Sequence, residues 1–235
     1  MTGVAAVLAE ELRTWLGQWV ADDTPLKRVL TAQRWAVRAY FEARYLVPDP
    51  WRLRTSPYEL QRAADTLEFL EGRRYRRALE VGCGEGTFTV QLLGLCDRVV
   101  AVDFSRGALR RARRRLAGEP RVELRALDVV CEDPGGGFDL VVCAELFYYM
   151  SRAQLEAVAR RVVRWLNLGG DLCLVHGTSS HDAAPEFSGE GRGREMGARQ
   201  IHGLFCRMAE LALVRDRLLP RYRLTLLRRR GDPNG

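Results

Sequence analysis

The chain has 235 residues, 47% of them apolar, and a formal net charge of +7. That length supports one main domain with a sizeable core, and no apolar run approaches the ~20 residues that cross a bilayer. Val4–Ala9 is apolar but lacks a basic leader and runs straight into Glu10 and Glu11, so a signal peptide is not expected. The positive charge invites a nucleic-acid reading. It is weakened because every basic residue except Lys27 is arginine, and the densest clusters (Arg73–Arg77, Arg110–Arg115, Arg228–Arg230) fall on separate predicted elements with little aromatic interleaving. These clusters read as solvated faces. The six cysteines form no C-x-x-C pair and mostly sit in apolar runs, as reduced core residues of a cytoplasmic protein do. With the three histidines scattered as well, no metal site is expected.

In chain order, residues 3–20 carry a helical apolar stripe (Val4, Leu8, Leu12, Trp15, Leu16, Trp19). Thr24 and Pro25 suit the start of a second helix, which runs to about Tyr45 and is rich in aromatics. A linker at Val47–Pro50 precedes a third helix over Pro57–Leu70. From Arg77 to Val175 apolar strands alternate with helical patterns, as in a parallel sheet covered by helices. Residues 179–197 are polar and glycine-rich, with no apolar period, and read as a mobile loop able to close over a bound acceptor. A helix over about Arg199–Leu211 then leads to two strands, Leu213–Leu219 and Arg223–Arg229. Their short connection permits only antiparallel pairing.

The most informative stretch is Ala78-Leu-Glu-Val-Gly-Cys-Gly-Glu-Gly86, a strand that ends in a glycine-rich turn and enters a helix. Gly82 suits backbone angles closed to other residues, and Gly84 lets the backbone approach a ligand. A dinucleotide site has the spacing G-x-G-x-x-G/A, whose third glycine would fall at Thr87. The pattern here is acid-x-G-x-G-x-G, with Glu80 as the acid and Gly86 as the third glycine, and it resembles motif I of the S-adenosylmethionine-dependent methyltransferases. A sulfonium cofactor tolerates the Glu80 carboxylate, whereas a pyrophosphate would be repelled by it.

Asp49-Pro-Trp51, Thr55-Ser-Pro-Tyr-Glu59 and Thr66-Leu67, followed by Ala78-Leu-Glu-Val-Gly-Cys-Gly, Cys96–Asp103, Phe138-Asp-Leu-Val-Val, Glu145-Leu-Phe-Tyr-Tyr149 and Leu174-Val-His176, together resemble the NodS-like branch of the class I methyltransferases. The similarity runs from about Asp49 to Arg229. It implies a Rossmann-like α/β fold, a mostly parallel seven-stranded sheet closed by an antiparallel hairpin, within a methyltransferase domain spanning 49–235. Residues 1–48 are an additional helical extension, expected to cover the acceptor site or to form a homodimer interface. The resemblance further implies S-adenosyl-L-methionine as cofactor and N-methylation of an amine, such as an amino sugar in a glycan or a small molecule. O-methylation of a secondary metabolite, an RNA substrate, or a non-catalytic cofactor-binding subunit are the alternatives.

Strand ends supply the candidate site. Asp103 ends the second strand, placed to accept both ribose hydroxyls, unless it caps the next helix, a task Ser105 could take. Phe104 can cover the adenine face. Asp128 can accept from the exocyclic amine, with the Val129 N–H near a ring nitrogen. By resemblance, Trp51, Tyr58 and Arg62 fold over the methionine end, where Arg62 could pair with the carboxylate. Glu145 ends the fourth strand, where substrate lies in an open parallel sheet, and can receive an amine proton. Tyr149 can wall the acceptor side, and His176, at the end of the fifth strand, ranks first among the histidines. Each has a plainer alternative as a packing or capping residue.

Overall fold

Runs such as Ala78-Leu-Glu-Val and Val99-Val-Ala-Val are apolar on both strand faces, which makes sense only in a sheet covered on both sides. The computed structural model, which describes residues 34–178 and 197–231, has that architecture. Strands β1 (Tyr75–Val81), β2 (Cys96–Asp103), β3 (Val122–Ala126), β4 (Phe138–Ala144), β5 (Leu166–Gly177), β6 (Leu211–Leu218) and β7 (Tyr222–Arg229) form one sheet in the order β3-β2-β1-β4-β5-β7-β6. The first five are mutually parallel, and β7 pairs antiparallel with both β5 and β6.

Helices α1 (Arg34–Arg44), α2 (Pro57–Leu70), α3 (Thr87–Leu92), α4 (Arg106–Arg115), α5 (Arg152–Trp165) and α6 (Ala198–Cys206) cover the sheet. On one face Val81, Val102, Val141 and Leu174 pack with Trp165 and Phe205. On the other, Ala78, Val99, Leu140 and Val175 pack with Phe69, Leu92 and Leu109. Each fully buried large side chain contributes about 1.5–3 kcal/mol, so the two apolar layers drive assembly. Helix starts follow local chemistry. The Ser105 hydroxyl accepts from the Ala108 N–H at 3.1 Å, and Ser151 and Gln154 form a reciprocal capping box on α5.

One buried charge ties the sheet end together. Asp171 is fully buried and accepts from Arg73 (2.7 Å), Arg228 (2.8 Å) and the Tyr75 hydroxyl (3.0 Å). β5 is thereby joined to β7 and to the start of β1.

The predicted third helix, the parallel run and the closing hairpin are all present. The hairpin strands begin slightly earlier than expected, at Leu211 and Tyr222. α6 ends at Cys206 rather than near Leu211, because Met208 turns back onto Phe205 and Leu211 enters β6. Of the two predicted N-terminal helices, only the end of the second, α1, falls among the described residues; the predicted loop at 179–197 lies outside them except for Gly197. Among the described residues no helix is long and apolar enough to cross a membrane, and no group of His, Cys, Asp and Glu could hold a metal ion.

Candidate active site

The chain runs outward from β1 to β2 and β3, then returns to place β4 on the other side of β1. Such a reversal opens a crevice at the carboxyl ends of the strands. Here it holds a cavity of about 220 Å³, lined by Glu80 and Gly82 from the end of β1, Asp103 and Phe104 after β2, Val129, and Glu145 after β4.

Gly82, Gly84 and Gly86 all have positive φ (77°, 55° and 72°), the left-handed region that glycine enters without a Cβ clash. Their further roles differ from the sequence expectation. Gly82 and Cys83 line the cavity, and both of their N–H groups bond to the Val102 carbonyl. A Cβ on Gly84 would lie 2.8 Å from the Tyr45 hydroxyl, and one on Gly86 would lie 2.9 Å from Leu116. The close approach at Gly84 is therefore to an aromatic of the chain's own N-terminal region, and Gly86 serves helix packing.

Two carboxyl groups face this turn. Asp103 accepts the Gly84 N–H at 2.9 Å on Oδ2 and the Ser105 N–H at 2.8 Å on Oδ1. Ser105, not Asp103, caps α4, which leaves Asp103 one lone-pair direction on each oxygen for a ligand. Burial pushes its carboxyl up to about 6. Glu80 accepts the Thr89 hydroxyl at 2.5 Å, and burial pushes it up to about 8 against the opposing effect of that hydrogen bond. At neutral pH Asp103 is mostly ionised and ready to accept paired hydroxyl donors, whereas Glu80 is held protonated and is poised to ionise when a cation arrives.

Phe104 and Val129 form part of the cavity wall. Asp128 lies beside them with its side chain fully buried, beneath the guanidinium of Arg34. The lining also includes Trp51, Glu59 and Arg62. Trp51 is held by the Arg44 guanidinium, 4.4 Å from its ring centroid. Arg62 lines the cavity with its two Nη groups already engaged by carboxylates of the chain, Glu59 at 2.5 Å and Glu145 at 3.2 Å. Tyr58 departs from expectation. It is not among the residues lining the cavity; its ring lies against Arg221 (3.9 Å) and Tyr222 (5.8 Å), with the cavity-lining Arg62 guanidinium 5.7 Å away.

Glu145 projects from a strained position, with φ of 51° at a non-glycine residue, a feature concentrated at functional sites. Its Oε1 accepts the Gly177 N–H at 2.6 Å and pairs with Arg62. Burial pushes its carboxyl upward while Arg62 pulls it down, and burial wins. Tyr149 lines the cavity edge-on to Phe41, 4.8 Å between ring centres. His176 is not there. Val175 lines the cavity, and strand alternation turns its neighbour to the opposite face. His176 is fully buried there, stacked on Phe147 and 3.0 Å from His202, and burial holds it well below the usual histidine range.

Among the lining residues that sequence reading did not single out are Arg34, Phe41, Tyr45 and Glu59. Arg34, Phe41 and Tyr45 come from the N-terminal helical region, whose approach to the glycine turn has no local sequence signal. Glu59 was visible only as part of a motif.

The profile of "Nodulation protein S (NodS)" matches residues 35–210 of this chain. Nodulation protein S of Bradyrhizobium diazoefficiens is 33% identical over 171 residues, covering 70% of this chain and 76% of that protein. The Rhizobium tropici protein of the same name is 36% identical over 149 residues, covering 63% of this chain and 61% of that protein. The crystal structure of the N-methyltransferase NodS from Bradyrhizobium japonicum, in complex with S-adenosyl-L-homocysteine, superposes with a TM-score of 0.71 at 24% identity, covering 82% of this chain and 97% of that one. With the switch-point cavity and closing hairpin already described, these matches place the chain in the NodS family of methyltransferases, with the fold of the class I S-adenosylmethionine-dependent enzymes.

Proposed function

We propose that this protein transfers a methyl group from S-adenosyl-L-methionine to the nitrogen of a small-molecule or glycan amine. The observation that carries the reading is the pair of carboxyl groups, Glu80 and Asp103, facing the glycine turn at the switch-point cavity. Carboxylates at this turn suit a sulfonium and a ribose and oppose a pyrophosphate. The nodulation relatives, and the SAH-bound N-methyltransferase that shares the fold, point the same way.

In this reading Asp103 accepts the ribose hydroxyls, and Phe104, Asp128 and Val129 form the adenine subsite. Glu80, Trp51 and Arg62 surround the methionine end, Arg62 acting through Glu59 and Glu145. The bound cofactor supplies a methyl already activated on sulfur, so the protein's tasks are alignment and exclusion of water. The acceptor nitrogen must present a free lone pair in line with that methyl. As its N–C bond forms, it must also shed a proton. Glu145, held in position by Arg62 and the Gly177 N–H, is the group on the acceptor wall able to accept that N–H. Phe41 and Tyr149 close the wall with apolar surface. Residues 1–48 are proposed as an N-terminal helical extension to a methyltransferase domain at 49–235.

Incubation with methyl-labelled cofactor and an amino-sugar oligosaccharide tests the proposal. Label should enter the free amine and not its N-acetylated counterpart. Equal labelling of both would move the reaction to oxygen and overturn the amine reading.

A further inference from the structure

The adenine subsite already holds a planar donor group of the chain itself. Arg34 forks Asp128, with Nε donating to Oδ2 at 2.7 Å and Nη2 donating to Oδ1. The same guanidinium lies 5.1 Å from the Phe104 ring centroid. Arg38 reinforces it from one turn further along α1, 3.6 Å from Asp128 Oδ2 and 5.8 Å from the Phe104 centroid. Asp128 Oδ1 also accepts the Val130 N–H at 3.0 Å, and its side chain is 0% exposed beneath this cover.

A flat group that stacks on Phe104 and donates to Asp128 has the contact pattern required of adenine, with its aromatic face and exocyclic amine. A base stacked on a phenyl ring sits about 4.5–7 Å from its centroid, the position the guanidinium now fills. Both cannot be there together. We infer that Arg34 is an internal competitor for the adenine subsite, which the cofactor must displace from Asp128 and Phe104 in order to bind. This inference rests on the proposed placement of adenine.

The rest of α1 does not depend on Arg34 for its position. Glu42 accepts the Arg106 and Gly107 N–H groups at the start of α4 (2.7 and 3.1 Å), and Arg111 donates to the carbonyls of Tyr45 and Leu46. Arg34 can therefore leave by side-chain motion while the helix stays docked. Apparent affinity is the intrinsic affinity reduced by the fraction of molecules in the competent state. Arg34 lowers that fraction, which makes it a determinant of cofactor affinity although it makes no contact with the bound base.

The test is calorimetric titration of S-adenosyl-L-homocysteine and of adenosine into the parent, Arg34→Ala, and Arg34→Ala/Arg38→Ala, with circular dichroism to verify folding. The double variant guards against Arg38 moving into the vacated place. Both ligands should bind the double variant about tenfold more tightly than the parent, equivalent to about 1.4 kcal/mol. The gain should be the same for both, because the competition is at the base. Unchanged or weaker S-adenosyl-L-homocysteine binding in a folded double variant overturns the inference alone, and assigns Arg34 a neutral or supporting role. Failure of every form to bind S-adenosyl-L-homocysteine overturns the cofactor reading, and this inference with it.

Discussion

Replacing Asp103 should separate cofactor binding from stability in opposite directions. In Asp103→Ala the two ribose acceptors are lost. Hydrogen bonds to a charged group contribute about 1.5–3 kcal/mol each, so S-adenosyl-L-homocysteine affinity should fall by at least two orders of magnitude. Asp103→Asn keeps one acceptor oxygen and should fall by about half that free energy. Stability behaves differently, because the Asp103 carboxyl is pushed up from 3.8 to about 6 by burial. A raised carboxyl means the folded state holds the proton more tightly than the unfolded chain. The associated stability is fully present below pH 3.8 and is lost as pH rises through about 6. At about 1.4 kcal/mol per pH unit, that loss amounts to about 3 kcal/mol at pH 7. The asparagine variant is always neutral and escapes it. It also loses one of the two backbone N–H acceptors at every pH, so the expected signal is a gain in its stability relative to the parent of about 2–3 kcal/mol between pH 4 and pH 7. Calorimetry for affinity and thermal melts at pH 4 and 7 make the comparison. Unchanged cofactor affinity in Asp103→Ala would refute the ribose role. A difference between Asp103→Asn and the parent that is the same at pH 4 and pH 7 would refute the burial argument.

Glu80, pushed up to about 8, should be driven to ionise by a bound sulfonium. Binding should then release a proton at pH 7, and affinity should rise between pH 7 and 9, a slope that Glu80→Gln should abolish. Gly84→Ala places a Cβ against the Tyr45 hydroxyl, and thermal melts should show a loss that is partly recovered in Gly84→Ala/Tyr45→Phe. Full recovery would mean that the φ of 55° carries no strain. Glu145→Gln should lower kcat about 100-fold while leaving S-adenosyl-L-homocysteine affinity within about threefold in calorimetry; a normal kcat would remove Glu145 from the proton transfer. Asp171→Ala leaves the buried Tyr75 hydroxyl without its acceptor, while the partly exposed Arg73 and Arg228 can turn to water, and should lose about 1–3 kcal/mol in urea unfolding.

The sheet, its mostly parallel order and its closing hairpin were legible because each rests on consecutive residues. Continuous apolar runs require burial on both faces, and a connection as short as Leu219–Arg221 excludes a crossover. The glycine turn was legible for the same reason, since positive φ is a property of single positions. The strand-end acids Asp103 and Glu145 followed once the strands were placed. Tertiary structure alone decided what those groups meet. Arg34 reaches Asp128 across 94 residues of sequence, and Arg62 is claimed by Glu59 and Glu145 before any ligand arrives. Tyr45 takes the close approach that Gly84 opens. His176 illustrates the limit most directly. Its place at a strand end was readable, but β5 turns Val175 to the cavity and His176 to the core. Local pattern sets which backbone a segment adopts, because its causes lie within a few residues. The side-chain partners depend on the packing of distant elements, which only the assembled fold brings together.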